Sequence, residues 1–172
     1  DLKFLAAHDS DPFNRWQAIQ TLSTVLLVDN VKALRSGAQP RQDEGLMTAL
    51  GSIMADTALQ PAFIALALTV PGEADIARDI GQDVDPDAIF AARAKLRSDI
   101  GMRLGPALRD AYRAMADAGP YSPDSASAGR RALKNVCLDL LAAGGASAIA
   151  LAARQYQQAD NMTDRLGALA TL

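Results

Sequence analysis

Three times in this chain a short polar side chain stands immediately before a proline, at Asp11-Pro12, Asp85-Pro86 and Ser122-Pro123. A side-chain oxygen at such a position accepts from the orphan N–H groups of a first helical turn. Proline tolerates the next place because its missing N–H would have no partner there. Each pair therefore marks a helix start, and Gln60-Pro61 is a weaker form of the same signal. After Pro12, the residues Trp16, Ile19, Leu22 and Leu26 recur at three- and four-residue steps. That stripe predicts an amphipathic helix over 12–35, stopped by Ser36-Gly37, with Trp16 buried as its core anchor.

The same reading carries through the rest of the chain. Helices are expected over 45–55 and 61–69, the second broken by Pro71-Gly72. A long helix starts near Asp85, with Ile89, Leu96, Ile100, Leu104, Leu108 and Met115 on one face, and runs to Gly119-Pro120. Gly101 and Gly105 cost it helix propensity but let another helix approach closely. From Pro123 a further helix carries Leu133, Cys137 and Leu141 in register, with Val136 and Leu140 beside them, and ends at Gly144-Gly145. Residues 146–158 are helical, Asp160-Asn161 form a turn, and 163–172 begin a last helix. Its stripe of Met162, Leu166, Leu169 and Leu172 has no later partner in the sequence, as expected of a chain cut inside a larger domain. Only residues 2–7, LKFLAA, suit an extended segment. The expected fold is all-α, an irregular solenoid or layered antiparallel helices in a single domain over 1–172.

With 172 residues such a domain buries a real core. The 17 basic residues are mixed among 20 acidic ones for a net charge of −3, which leaves no one-signed field for nucleic acid or an anionic membrane. Cys137 is the only cysteine, so there is no internal disulfide and no Cys-rich zinc site, and a reducing, cytoplasmic compartment suits the chain. No leader-like or membrane-spanning apolar run is present.

Candidate chemistry is sparse. His8, Asp9 and Asp11 cluster in HDSDPFNRWQA, residues 8–18, but ligands on one short connection cannot converge on a metal, and no second histidine exists. Asp11 as an N-cap explains the stretch better. His8 finds no GxSxG elbow to serve as a base, and Cys137 sits on an apolar stripe, as a small buried hydrophobe does. Gly144-Gly145 precede no lysine-serine or lysine-threonine pair, so they form no P-loop. The basic groups Arg93, Lys95, Arg97 and Arg130, Arg131, Lys134 have Asp99, Asp110 and Asp139 close by, which predicts solvated faces or inter-helix ion pairs. The polar run QYQQADNMTDR, residues 155–165, holds Tyr156, Asn161, Asp164 and Arg165 around a turn where a cavity is expected.

Four stretches, HDSDPFNRWQA, VDPDAIFAARAKLR, PYSPDSASAGRRALKNVCLDLL and RQYQQADNMTDRLGAL, taken in that order, resemble the carboxy-terminal helical region of the bacterial aminopeptidase N family, the zinc-dependent alanyl aminopeptidases of class M1. The resemblance covers the whole chain from Leu2 onward. It implies that residues 1–10 are a junction from a preceding β domain, LKFLAAH being that domain's last strand. It also implies a non-catalytic domain that closes a substrate chamber in a parent enzyme acting on peptide amino termini. The family's chemistry lies in an HExxH helix with a downstream glutamate, a GxMEN loop and a transition-state tyrosine, none of which is present. No catalytic, cofactor or metal residue is therefore assigned here. Zinc is expected only in the parent's upstream catalytic domain, and the expected partners are the upstream domains and the parent's peptide substrates. The alternative is a free-standing helical interaction module gripping a partner helix or peptide on its concave face.

Overall fold

The computed structural model describes every residue except 1, 117, 118 and 120. Among the described residues there are ten α-helices and no strand. They are α1 (Leu2–His8), α2 (Pro12–Arg35), α3 (Glu44–Ala55), α4 (Pro61–Leu68), α5 (Glu73–Ile80), α6 (Pro86–Arg103), α7 (Gly105–Ala114), α8 (Ser125–Gly144), α9 (Ile149–Gln158) and α10 (Met162–Thr171), with a short 3-10 turn at Ala146–Ala148 before α9. No described helix is long and apolar enough to cross a membrane.

Carboxylates and one carboxamide start most of the longer helices. Asp11 accepts from the Phe13 N–H at 2.8 Å, Asp43 from Leu46 at 3.0 Å, Asp85 from Ala88 at 3.0 Å and Asn161 from Asp164 at 2.9 Å. At α8 the start lies two residues beyond the expected Ser122-Pro123. Asp124 is the cap, accepting from the Ser127 N–H at 2.9 Å, because a carboxylate outcompetes the Ser122 hydroxyl, which itself donates to Asp124. The Ser122 hydroxyl, then the Ser127 N–H and hydroxyl, hold the Asp124 carboxyl well below the usual carboxylate range.

The structure corrects the sequence reading in four further places. Residues 2–7 are helix, not extended. Leu, Lys and Ala are good helix formers, a lone strand has nothing to pair with, and the helix buries Ala6 while Lys3 reaches Asp43 at 2.9 Å. Trp16 is not a core anchor. The buried seam of α2 passes through Arg15, Ala18, Ile19, Leu26 and Leu27, so Trp16 lies at its edge, half-buried, with its ring 5.7 Å from that of exposed Phe13. The expected long helix after Asp85 is two. Pro106 has no N–H for the Met102 carbonyl and its ring would clash there, so α6 ends at Arg103 and α7 begins at Gly105. Helix α5, in the stretch left unassigned after Pro71-Gly72, starts at the backbone cap Gly72 with no side-chain signal. The expected stop at Gly119-Pro120 falls partly outside the described residues.

Helix α8 is the axis of the molecule. It borders α4, α6, α7 and α10, and contributes Leu133, Cys137, Leu140 and Leu141 to a core shared with Ile19 and Leu27 of α2, Leu46 and Leu50 of α3 and Ile89, Leu96 and Ile100 of α6. The crossing of α6 and α8 is so close that a Cβ on Gly101 would stand 2.1 Å from the Leu140 carbonyl oxygen and 2.8 Å from Gly144 Cα. The Met162, Leu166, Leu169 and Leu172 stripe is exposed.

Gly101→Ala is therefore expected to destabilise the fold by about 1–3 kcal/mol or more through overpacking. Gly51→Ala, inside α3 with the nearest side-chain atom of Leu104 at 3.6 Å from the added Cβ, should stabilise by about 0.5–1 kcal/mol. Urea denaturation of both variants checks this, and equal effects would contradict the crossing.

Candidate functional site

The run 155–165 is where the structure gathers buried polar groups. Asn161 caps α10, which places Asp164 in the first turn of that helix, where its negative charge suits the helix dipole. Asp164 is almost fully buried and receives Lys134 Nζ of α8 at 2.5 Å. Asn135 Nδ2 donates to the other Asp164 oxygen at 3.1 Å. Gln155 of α9, also buried, donates Nε2 to Asn135 Oδ1 at 2.7 Å and to the Asp164 carbonyl at 2.9 Å, so three helices meet in one network. Its Oε1 is buried without a donor among the described residues. Beneath the network lies a small second core of Leu138, Ala152 and Ala168.

Of the residues that the sequence singles out around this turn, Asn161 and Asp164 come together. Arg165 turns away to donate to the Ala159 carbonyl at 2.7 Å, and Tyr156 stays partly exposed. Lys134, read from sequence as part of a basic face, is instead the counter-ion of Asp164. Thirty residues separate the two, and no local pattern joins them.

Beside the network, between α7, α8 and α9, opens a cavity of about 700 Å³. Arg109, Tyr112 and Arg113 of α7 and Arg154 of α9 line it together with Lys134, Gln155 and Asp164. Burial, followed by the charge of Asp164, pushes the Tyr112 phenol up, while Arg154 opposes that rise. The arginines carried no pattern in the sequence beyond Arg109 and Arg113 sharing a face of α7 one turn apart.

The other candidates resolve into structural roles. Asp9 accepts from the Asp11 N–H at 2.7 Å, Asp11 caps α2, and the exposed His8 ring packs against Phe4 with centroids 5.0 Å apart. Those donors are committed to the turn and do not converge, so they do not fit a zinc ion. Among the described residues no group of three or more His, Cys, Asp or Glu is placed to hold a metal. Cys137 is fully buried and burial pushes its thiol up to about 12, which suits no nucleophile or ligand. The basic groups are largely paired between helices or along one: Arg93 with Glu73 at 3.2 Å, Lys95 with Asp99 at 2.5 Å, and Arg97 Nε with Asp139 at 3.2 Å. Arg130 donates to the Ala114 and Ala116 carbonyls, and the Arg131 guanidinium lies 4.7 Å over the Tyr121 ring.

A family model described as a domain of unknown function, DUF3458_C, composed of ARM repeats, matches residues 1–172. The chain belongs to this family. The all-α repeat architecture expected from the helix stripes is thereby borne out. Aminopeptidase N of Caulobacter vibrioides is 40% identical over 172 residues, which is 98% of this chain and 19% of that protein. Aminopeptidase N of Escherichia coli is 31% identical over 169 residues, again 98% of this chain and 19% of the relative. These matches bear out the resemblance to aminopeptidase N along the whole chain, which spans about a fifth of the length of these relatives. A crystal structure of Legionella pneumophila aminopeptidase A in complex with aspartic acid superposes with a TM-score of 0.79 at 21% identity, over 98% of this chain and 20% of that one, and shows the same fold.

Two outcomes follow for the DUF3458_C domain. Lys134→Met leaves Asp164 charged and buried, which should cost about 3–5 kcal/mol in a urea titration, with much of the loss recovered in the Lys134→Met, Asp164→Leu double variant. Because the Cys137 thiol is buried and raised, iodoacetamide at pH 8 is expected to leave the native protein unlabelled and to modify it fully in denaturant. Rapid native labelling would contradict the packing of α8.

Proposed function

We propose that the chain serves as the non-catalytic helical domain of a larger cytoplasmic zinc aminopeptidase, closing the chamber around peptide substrates while an upstream domain supplies the metal chemistry. One observation carries this reading: the likeness to aminopeptidase N runs along 98% of the chain yet occupies only 19% of each of two relatives. Two features of the fold support it. The described residues offer no converging ligand set, whereas zinc hydrolysis needs three protein ligands, an open position for water and a nearby base. A rigid stack of helices suits the exclusion of water and bulky chains from a preorganised site. In this role the domain contributes shape, and its partners are the upstream domains of the same chain.

Two measurements test the proposal. Purified 172-residue chain should contain no stoichiometric zinc by mass spectrometry and release no chromophore from an alanine anilide. Stoichiometric zinc with chelator-sensitive turnover would overturn it. The reading frame upstream of Asp1 should encode HExxH, and a stop codon or an unrelated domain there would favour a free-standing interaction module instead.

A further inference from the structure

Helices α9 and α10 stand apart from the rest of the fold. Bonds within the pair tie the two to each other: Gln155 Nε2 donates to the Asp164 carbonyl at 2.9 Å, and Arg165 donates to the Ala159 carbonyl at 2.7 Å across the turn. The pair is seated chiefly on α8. On one side the cavity of about 700 Å³ separates α9 from α7. On the other, a cleft of about 340 Å³ between Ala94 and Arg97 of α6 and Ala170 and Thr171 of α10 keeps α10 off α6. Both openings reach α8, the first at Lys134 and the second at Asp139.

Little holds the pair down. Leu138 of α8, Ala152 and Ala168 form a core of their own, which shares with the main core the half-buried side chains of Tyr112 and Leu151. Two alanines bury few methyl groups, so this core stabilises far less than the main one. The rest of the attachment is polar: Lys134 Nζ to Asp164 at 2.5 Å, and Asn135 to both Asp164 and Gln155. Such a pair adds little net stability but penalises any state in which one charge stays buried alone. It therefore acts as a catch, since parting it requires both charges to reach water together. Once lifted, two ten-residue helices without a packing surface do not persist in water. Local openings run in contiguous units, and the least stable are those with few buried apolar contacts. The boundary falls at the 3-10 turn, because Ala148 belongs to the main core whereas α9 starts with no side-chain cap.

We propose that α9 and α10 form a lid over α8 that opens as one unit, with the Lys134–Asp164 pair as its catch, while α2, α6 and α8 stay folded. Opening merges the cavity and the cleft into one trough along α8 and bares Leu138, which the closed fold conceals. The inference concerns the packing of this chain and stands whether or not it works within a peptidase.

Hydrogen exchange of the full 172-residue chain, read by mass spectrometry on its peptides, tests the lid. Amides of 149–171 should exchange together, about tenfold or more faster than those of α2 and α6. Lys134→Met and Asp164→Leu, which break the catch from either side, should each speed 149–171 by a further factor of about ten or more and leave α2 and α6 within about twofold. Ile19→Val, in the main core, should do the reverse, speeding α2 and α6 severalfold and leaving 149–171 unchanged. The proposal is overturned if 149–171 exchange no faster than α2 and α6, or if protection falls off gradually from α9 to α10 without response to Lys134→Met, as in simple fraying. It is equally overturned if either catch variant speeds every helix alike or leaves the chain unfolded, or if Ile19→Val loosens the lid as much as the core.

Discussion

Everything around α8 depends on how closely α6 can lie against it. Leu140 and Gly144 of α8 present backbone to Gly101 of α6 at distances that leave no room for a methyl group. That approach draws Ile89, Leu96 and Ile100 into the layer already occupied by Leu133, Cys137 and Leu141, so dispersion contacts accumulate along the whole crossing. A second close approach, where a Cβ on Gly129 would stand 3.0 Å from Ala62 Cβ, seats α4 on the amino-terminal part of the same helix. With α4, α6 and α7 thus fixed to one axis, α2 closes the core through Ile19, Leu26, Leu27 and Val31.

The carboxy-terminal helices are held by a different kind of interaction. Their apolar contribution is small, Leu138, Ala152 and Ala168, and the Lys134–Asp164 pair with Asn135 and Gln155 sits above it. A buried ion pair adds little net stability because desolvation offsets its Coulomb attraction, but it penalises every arrangement in which either charge loses its partner. Its effect is registry: α9 and α10 must dock where Asp164 meets Lys134. The cavity lined by Arg109, Arg113 and Arg154 lies beside that network, so its shape depends on the same docking.

For the enzymatic reading, the domain's value lies in rigidity. Carboxylate caps at α2, α3, α6 and α8, and the reciprocal bonds between Asn30 and the Arg41 backbone at 2.9 Å each, hold helix ends and connections that would otherwise fray. A scaffold of this kind suits the task of excluding water from chemistry performed elsewhere, which is the role proposed here.

How much of this was legible in the chain follows from the range of each interaction. Helix starts at Pro12, Pro61 and Pro86, the stripe of Leu133, Cys137 and Leu141, and the cap at Asn161 are set by residues within one or two turns of each other, and the sequence by itself determined them. It also determined the family, because long matched stretches in order carry more information than any short motif. The inward side of α2 at Arg15 rather than Trp16 and the partnership of Lys134 with Asp164 were decided only by the tertiary structure. In each case the competing choices have similar local energies. Arg15 is drawn inward by Asp56, 41 residues away at 2.8 Å, and Asp164 by a lysine 30 residues earlier. A preference of that kind exists only once distant segments are packed together, so no window of the sequence contains it.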